Sequence, residues 1–81
     1  MIIAKSAFKE ISRFPKKDIE RILRVFEDLP LNPYAGDMEK MEGEDGVWRR
    51  RIGNYRIFYH LDKNRKLISV FKIERRTSTT Y

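Results

Sequence analysis

The sequence contains no cysteine and only one histidine, His60, among its 81 residues. Without thiols the chain can form neither disulfides nor thiolate metal sites, and a single imidazole does not build a structural zinc site. No apolar run is long enough to cross a membrane, and the short apolar start lacks the length of a signal peptide. We therefore expect a cytoplasmic protein with no membrane association, no metal and no cofactor.

Charge is divided unevenly along the chain. Residues 1–46 hold 8 Lys/Arg and 10 Asp/Glu, whereas residues 47–81 hold 10 Lys/Arg and 2 Asp/Glu. Seven of the later cations are arginines, whose planar fork of donors matches phosphate. This division indicates a polyanionic partner such as a nucleic acid, and the alternative is a basic surface that serves solubility. The length predicts one domain, residues 1–81.

Residues 48–59 read as two strands joined by a two-residue Gly-Asn turn, a strong hairpin signal. In such a hairpin Arg51 lies opposite Arg56, and Arg49 leaves the same side of the sheet. Like charges placed opposite each other destabilise a sheet. The pattern therefore indicates an anion-binding face, with a solvated basic face as the alternative.

The rest of the chain predicts an α+β fold. A short N-terminal strand is followed by a two-helix hairpin and a three-stranded antiparallel meander, with the helices packed on one sheet face. Pro15 opens the second helix, which runs to about Leu29 and has one apolar stripe. The predicted strands of the meander are residues 47–52, 55–62 and 66–75.

An acidic segment, residues 37–45, precedes the first strand of this meander. We interpret it as an exposed connection with solvated carboxylates, which Met38 and Met41 anchor to the core. A metal site or an acid–base pair is the less favoured interpretation, because nothing in an exposed loop would shift the pKa values of carboxylates.

The second turn of the meander, with Lys63 and Asn64 as its loop, predicts that Arg56 faces Phe71. Four arginines and three rings then share the sheet face opposite the helices: Arg49, Arg51, Arg56, Arg75, Phe58, Phe71 and His60. Arginines interleaved with aromatic rings suit single-stranded RNA. Four residues are candidate RNA-binding groups: Arg50, Phe58, Phe71 and Lys72. Arg50 and Lys72 fall on the helix-covered face, where we expect packed stems and charged heads in water.

Several segments in this order resemble the RelE/ParE superfamily of bacterial and archaeal toxins. They are residues 5–11 (KSAFKEI), Leu29-Pro30 with Pro33, Met41-Glu42-Gly43, the hairpin 48–59, and Arg75-Arg76 followed by Tyr81. The resemblance covers nearly the whole chain, and it is the order and spacing of these short pieces that make it specific.

The resemblance implies a toxin of a toxin–antitoxin system, partnered by a cognate antitoxin. RelE-like members are ribosome-dependent endoribonucleases that cut mRNA and so inhibit translation, whereas ParE-like members share the fold, inhibit DNA gyrase and lack the basic catalytic set. This chain is similar to the RelE side, which implies the ribosome and its mRNA as further partners. The residues that correspond to the catalytic set are Arg49, Arg51, Arg56, Arg75 or Arg76, and Tyr81.

Arginine stays protonated in proteins, so these arginines do not supply a general base for 2′-OH attack on the adjacent phosphate. Tyr81 is the sequence candidate for that base, because surrounding cations favour its phenolate. His60 is a less favoured candidate. A gyrase inhibitor and a degenerate toxin that only binds RNA or an antitoxin are the alternatives to a nuclease.

Overall fold

A computed structural model describes residues 1–34 and 36–76. Its elements follow in chain order: β1 (Ile2–Ile3), α1 (Lys5–Ile11), α2 (Lys16–Asp28), β2 (Met38–Lys40), β3 (Val47–Ile52), β4 (Tyr55–Asp62) and β5 (Leu67–Arg75). Pro15, which has no N–H to leave unpaired, occupies the N-cap position of α2. No helix in the described part of the chain is long and apolar enough to span a membrane.

The strands form one mixed sheet in the order β1-β5-β4-β3-β2. Strand β1 runs parallel to β5, and the remaining pairs are antiparallel. The predicted α+β architecture is confirmed, with the predicted meander forming β3, β4 and β5. The sheet has one strand more than the sequence pattern predicts.

That extra strand is β2, which lies within the acidic segment that the sequence predicts as an exposed connection. Glu39 lies opposite Arg49 in the β2–β3 ladder. Backbone hydrogen bonds extend the ladder on both sides, from Met41 N–H to the Val47 carbonyl (2.9 Å) and from Arg51 N–H to the Asp37 carbonyl (2.8 Å). Three residues are too few to give a recognisable strand pattern in the sequence. Strand β2 forms because β3 offers an unpaired edge.

The helices cover one face of the sheet and make the core there. α2 contributes Ile22, Phe26 and the following Leu29 to a cluster with side chains of β4 and β5. The most deeply buried side chains are Ile22, Leu29, Ile57, Tyr59 and Val70. This packing leaves the opposite sheet face without a helix, and that open face carries the alternate residues of β3 and β4.

The register of the β3–β4 hairpin is the predicted one, with Ile52 opposite Tyr55 and Arg51 opposite Arg56. Gly53 has φ 54°, a left-handed conformation that suits glycine at the first central position of such a turn. The turn chemistry therefore determines which arginines share a face.

The predicted register between β4 and β5 is wrong. Asp62 pairs with Leu67 across a four-residue loop, because its carboxylate accepts hydrogen bonds from the backbone N–H groups of Asn64 and Arg65 (3.1 Å each). The register then shifts again at a β-bulge: Tyr59 faces Val70, but Phe58 faces Lys72.

The bulge inserts one extra residue into β5 and so reverses the facing of every residue after it. Ile73 turns into the core opposite Ile57, and Glu74 rather than Phe71 lies opposite Arg56. Lys72, predicted on the helix-covered face, lies on the open face, and Arg75, predicted on the open face, lies opposite Tyr55 on the covered one.

Candidate functional site: an arginine-lined cleft

A small cleft on the open face gathers most of the predicted site. Its volume is about 160 Å³, and six residues line it: Asp37, Glu39, Arg49, Arg51, Arg56 and Arg76. Pockets for drug-sized ligands hold roughly 300–1,000 Å³, so this cleft suits a small group such as one phosphate. Four guanidinium groups line it with donors only, and such a set of donors favours an anion.

The hairpin and the end of β5 bring these arginines together. Arg49 and Arg51 are alternate residues of β3, and Arg56 lies directly opposite Arg51. Arg76 follows β5, where its backbone N–H donates a hydrogen bond to the carbonyl of Asn54 in the hairpin turn. The tight turn therefore positions the fourth arginine. It also sets the strand register that brings the other three together.

Glu39 brings a carboxylate into this cationic cleft. The Nη2 atom of Arg49 donates a hydrogen bond to Oε2 of Glu39, and the two side chains are 29 % and 68 % exposed, respectively. Among the described residues, Arg51, Arg56 and Arg76 take part in no ion pair. A carboxylate of β2 thus neutralises one arginine of the cleft. The guanidinium donors of the other three are available to an anion.

Comparison with known proteins identifies the family. Residues 2–79 match the family described as ParE toxin of type II toxin-antitoxin system, parDE. A protein named putative toxin RelE1, from Methanocaldococcus jannaschii, is 30 % identical over 77 residues, which cover 91 % of this chain and 86 % of that protein. The chain belongs to the RelE/ParE family of type II toxins.

Solved structures agree with this family in fold. The RelE–RelB complex of Pyrococcus horikoshii matches with a TM-score of 0.79 and 28 % identity, over 95 % of this chain and 93 % of that one. The RelB–RelE antitoxin–toxin complex of Methanococcus jannaschii matches with a TM-score of 0.78 and 24 % identity, over 93 % of this chain and 89 % of that one. The chain is therefore a toxin of a toxin–antitoxin system with a RelE-like fold.

Of the two adjacent arginines proposed for one position of the toxin, the structure brings Arg76 to the cleft. The guanidinium carbon of Arg75 lies 5.9 Å from the centroid of the Tyr55 ring, on the other side of the sheet. Both side chains are exposed. The bulge in β5 is the cause, since it reverses the facing of Arg75.

The predicted RNA-binding aromatic residues differ in their accessibility. Phe58 is only 8 % exposed, because Nζ of Lys72 lies 5.3 Å from the centroid of its ring and the Phe71 ring lies 6.4 Å away. Phe71 is 42 % exposed. The Phe71 ring and the Lys72 ammonium can therefore contact a ligand, whereas Phe58 supports them from beneath.

Arg50 lies on the helix-covered face, as predicted, but its charged head is not surrounded by water. Its Nε and Nη1 atoms are buried and have no hydrogen-bond partner among the described residues. The guanidinium packs against Gly36, where an added Cβ would lie only 2.6–2.8 Å from its atoms. Arg50 therefore contacts the loop before β2 rather than the arginine cleft.

Of the two predicted proton-transfer residues, His60 alone belongs to the described part of the chain, and it stands apart from the cleft. His60 is exposed on β4 opposite Val47, beyond the end of the cleft that Arg49 marks. Tyr81 lies outside the described residues. Sequence reasoning missed Asp37 and Glu39 as cleft residues, because Met38-Glu39-Lys40-Met41 lacks the strict alternation of apolar and charged residues that indicates a strand.

Proposed function

We propose that this toxin is a ribosome-dependent endoribonuclease that cuts mRNA and thereby stops translation in the cytoplasm. The observation that carries the proposal is the cleft in which Arg49, Arg51, Arg56 and Arg76 converge on a space suited to one phosphate group. A surface that served only solubility would spread its charges, because like charges repel when they are close. The Phe71 ring, which is 42 % exposed and lies 6.4 Å from the Phe58 ring, adds a surface on which an unpaired base can stack.

In the proposed reaction the ribose 2′-oxygen attacks the adjacent phosphorus. The O2′–P bond forms, the P–O5′ bond breaks, and the products are a 2′,3′-cyclic phosphate and a 5′-hydroxyl end. The arginines hold the scissile phosphate in line and stabilise the negative charge that develops on its oxygens. They do not accept the 2′-hydroxyl proton, and Tyr81 is the candidate acceptor that follows from the sequence resemblance.

We also propose a cognate antitoxin as the partner of this toxin. The two solved structures described above are toxin–antitoxin complexes of RelE with RelB. An acidic or amphipathic antitoxin segment would find a complementary surface on the basic open face. Covering the arginine cleft would then block access of mRNA.

The direct test is cleavage of mRNA on purified ribosomes by the toxin and its Arg56→Ala variant. We expect a loss of about 10²–10³-fold for Arg56→Ala, the range seen when one donor to a developing oxyanion is removed. Arg24→Ala is the matched control. It removes the same charge from the exposed surface of α2, and the helices lie on the sheet face opposite the cleft. A wild-type toxin that leaves ribosome-bound mRNA intact would refute the proposal, and equal cleavage by all three proteins would refute the assigned site.

Inhibition of DNA gyrase is the second candidate function, since the family that residues 2–79 match is described by its ParE toxins. A supercoiling assay with purified gyrase separates the two functions. Inhibition of supercoiling together with intact ribosome-bound mRNA would favour gyrase as the target.

A further inference from the structure

The cleft contains a group that can accept a proton, although its arginines cannot. Two of the six lining residues are carboxylates, Asp37 and Glu39. An ionised carboxylate is an acceptor with two oxygens, whereas guanidinium groups only donate. Strand β2 therefore supplies the chemistry that β3 and β4 lack.

Glu39 is the better placed of the two carboxylates. Its position is fixed by the β2–β3 ladder, where it lies opposite Arg49, and its side chain is oriented by the hydrogen bond from Arg49 Nη2 to Oε2. Asp37 instead precedes the strand and contributes its backbone carbonyl to the ladder. A base must be held in a defined orientation to accept a proton in the transition state, and only Glu39 is held through its side chain.

The hydrogen bond to Arg49 leaves the second oxygen of Glu39 as an acceptor. The Glu39 side chain is 68 % exposed, so a ribose can reach it, while Arg49 beneath it is 29 % exposed. The same guanidinium that orients the carboxylate faces the phosphate cleft. The pair therefore links proton acceptance to phosphate binding at one point of the sheet.

From this geometry we infer that Glu39 is the general base of the toxin, an assignment that rests on the proposed nuclease function. Glu39 takes the proton of the attacking 2′-hydroxyl as the O2′–P bond forms. The P–O5′ bond then breaks, the departing 5′-oxygen takes a proton from water, and Glu39 returns its own proton to the solvent. The four arginines remain protonated throughout and stabilise the phosphorane-like charge.

Glu39→Gln tests this role, because it keeps the shape and removes the proton acceptor. We expect the single-turnover cleavage rate at saturating ribosomes to fall by about 10²–10⁴-fold, the usual contribution of a general base. Affinity for ribosomes should stay equal or increase, because the substitution removes a negative charge from a basic cleft. Glu39→Asp should recover part of the rate, since the carboxylate returns on a shorter side chain.

Matched variants distinguish a general base from a carboxylate that contributes only its negative charge. Glu42→Gln and Glu44→Gln remove the same charge from the same segment, outside the cleft lining, and should cleave within a few-fold of the wild-type toxin. Tyr81→Phe should lose less rate than Glu39→Gln.

The outcomes distinguish this inference from the function on which it rests. If the wild-type toxin does not cut mRNA, the proposed function itself fails. If the wild type cuts and Arg56→Ala does not, but Glu39→Gln cuts as well as or faster than the wild type, Glu39 is only a counter-ion that competes with phosphate. If Glu39→Gln loses ribosome affinity and rate together, its role is structural, and the assignment as base is wrong.

Discussion

Tyr59→Phe should lower the free energy of unfolding, because it removes the hydroxyl that forms a hydrogen bond to the loop before β2. Tyr59 is 0 % exposed, and its hydroxyl donates a hydrogen bond to the carbonyl of Pro33 at 2.9 Å. Loss of a donor that leaves its acceptor unpaired costs about 1–2 kcal/mol at such partly buried sites. For a domain of this size we expect Tm to fall by roughly 5–15 °C in a thermal denaturation experiment.

The same hydroxyl should make stability depend on alkaline pH. Burial raises the pKa of Tyr59 above its ordinary value of 10.0, and the nearby Arg50 cation opposes this only in part. The unfolded chain therefore loses the phenol proton first, and the folded state is progressively destabilised as pH rises through 10 toward the folded pKa. Burial and the hydrogen bond to Asp18 raise the pKa of Tyr55 as well, so two phenols contribute to the wild-type slope.

In Tyr59→Phe one of those two contributions disappears, and the alkaline loss of stability measured by denaturant titration should be shallower. Tyr34→Phe is the matched control. The Tyr34 side chain is half-exposed, so the loss of its hydroxyl should change Tm little. An unchanged Tm and an unchanged alkaline slope in Tyr59→Phe would refute the role assigned to the Tyr59–Pro33 hydrogen bond.

Three further predictions concern the fold and the cleft. Ile57→Ala, at a side chain that is 0 % exposed, should cost about 2–5 kcal/mol in denaturant unfolding, whereas Leu31→Ala, at 85 % exposure, should cost less than about 0.5 kcal/mol. Gly36→Ala places a Cβ at φ 82° against the Arg50 guanidinium, so thermal unfolding should show a loss of at least about 1–2 kcal/mol; no loss would contradict this packing. Arg56→Ala should reduce the salt dependence of single-stranded RNA binding, log K against log salt, by about 0.7, and an unchanged slope would place Arg56 outside the phosphate contacts.

The hairpin is the part of the structure that the sequence predicted in most detail. A two-residue Gly-Asn turn permits one pairing of its flanking residues, so local chemistry alone predicted that Arg51 faces Arg56 and that Arg49 shares their side. The apolar stripe of α2 likewise predicted the helix face that buries Ile22 and Phe26, although Leu23 of the same predicted stripe is 42 % exposed. Both signals act between residues that are close in the chain.

The position of Glu39 and the choice between Arg75 and Arg76 depended on contacts between distant segments. β2 becomes a strand only because the edge of β3 is available, and that pairing is what brings Glu39 to Arg49. The bulge that reverses the end of β5 is a separate one-residue shift, and it lets Ile73 be buried opposite Ile57.

The sequence by itself therefore determined the helices, the hairpin and three of the four cleft arginines, because turn residues and hydrophobic periodicity encode them locally. Tertiary structure decided which tail arginine joins them and placed a carboxylate among them. A one-residue shift costs little in local propensity, yet it moves each following side chain to the other face of the sheet. Only the packing of the whole sheet against its helices selects between such registers.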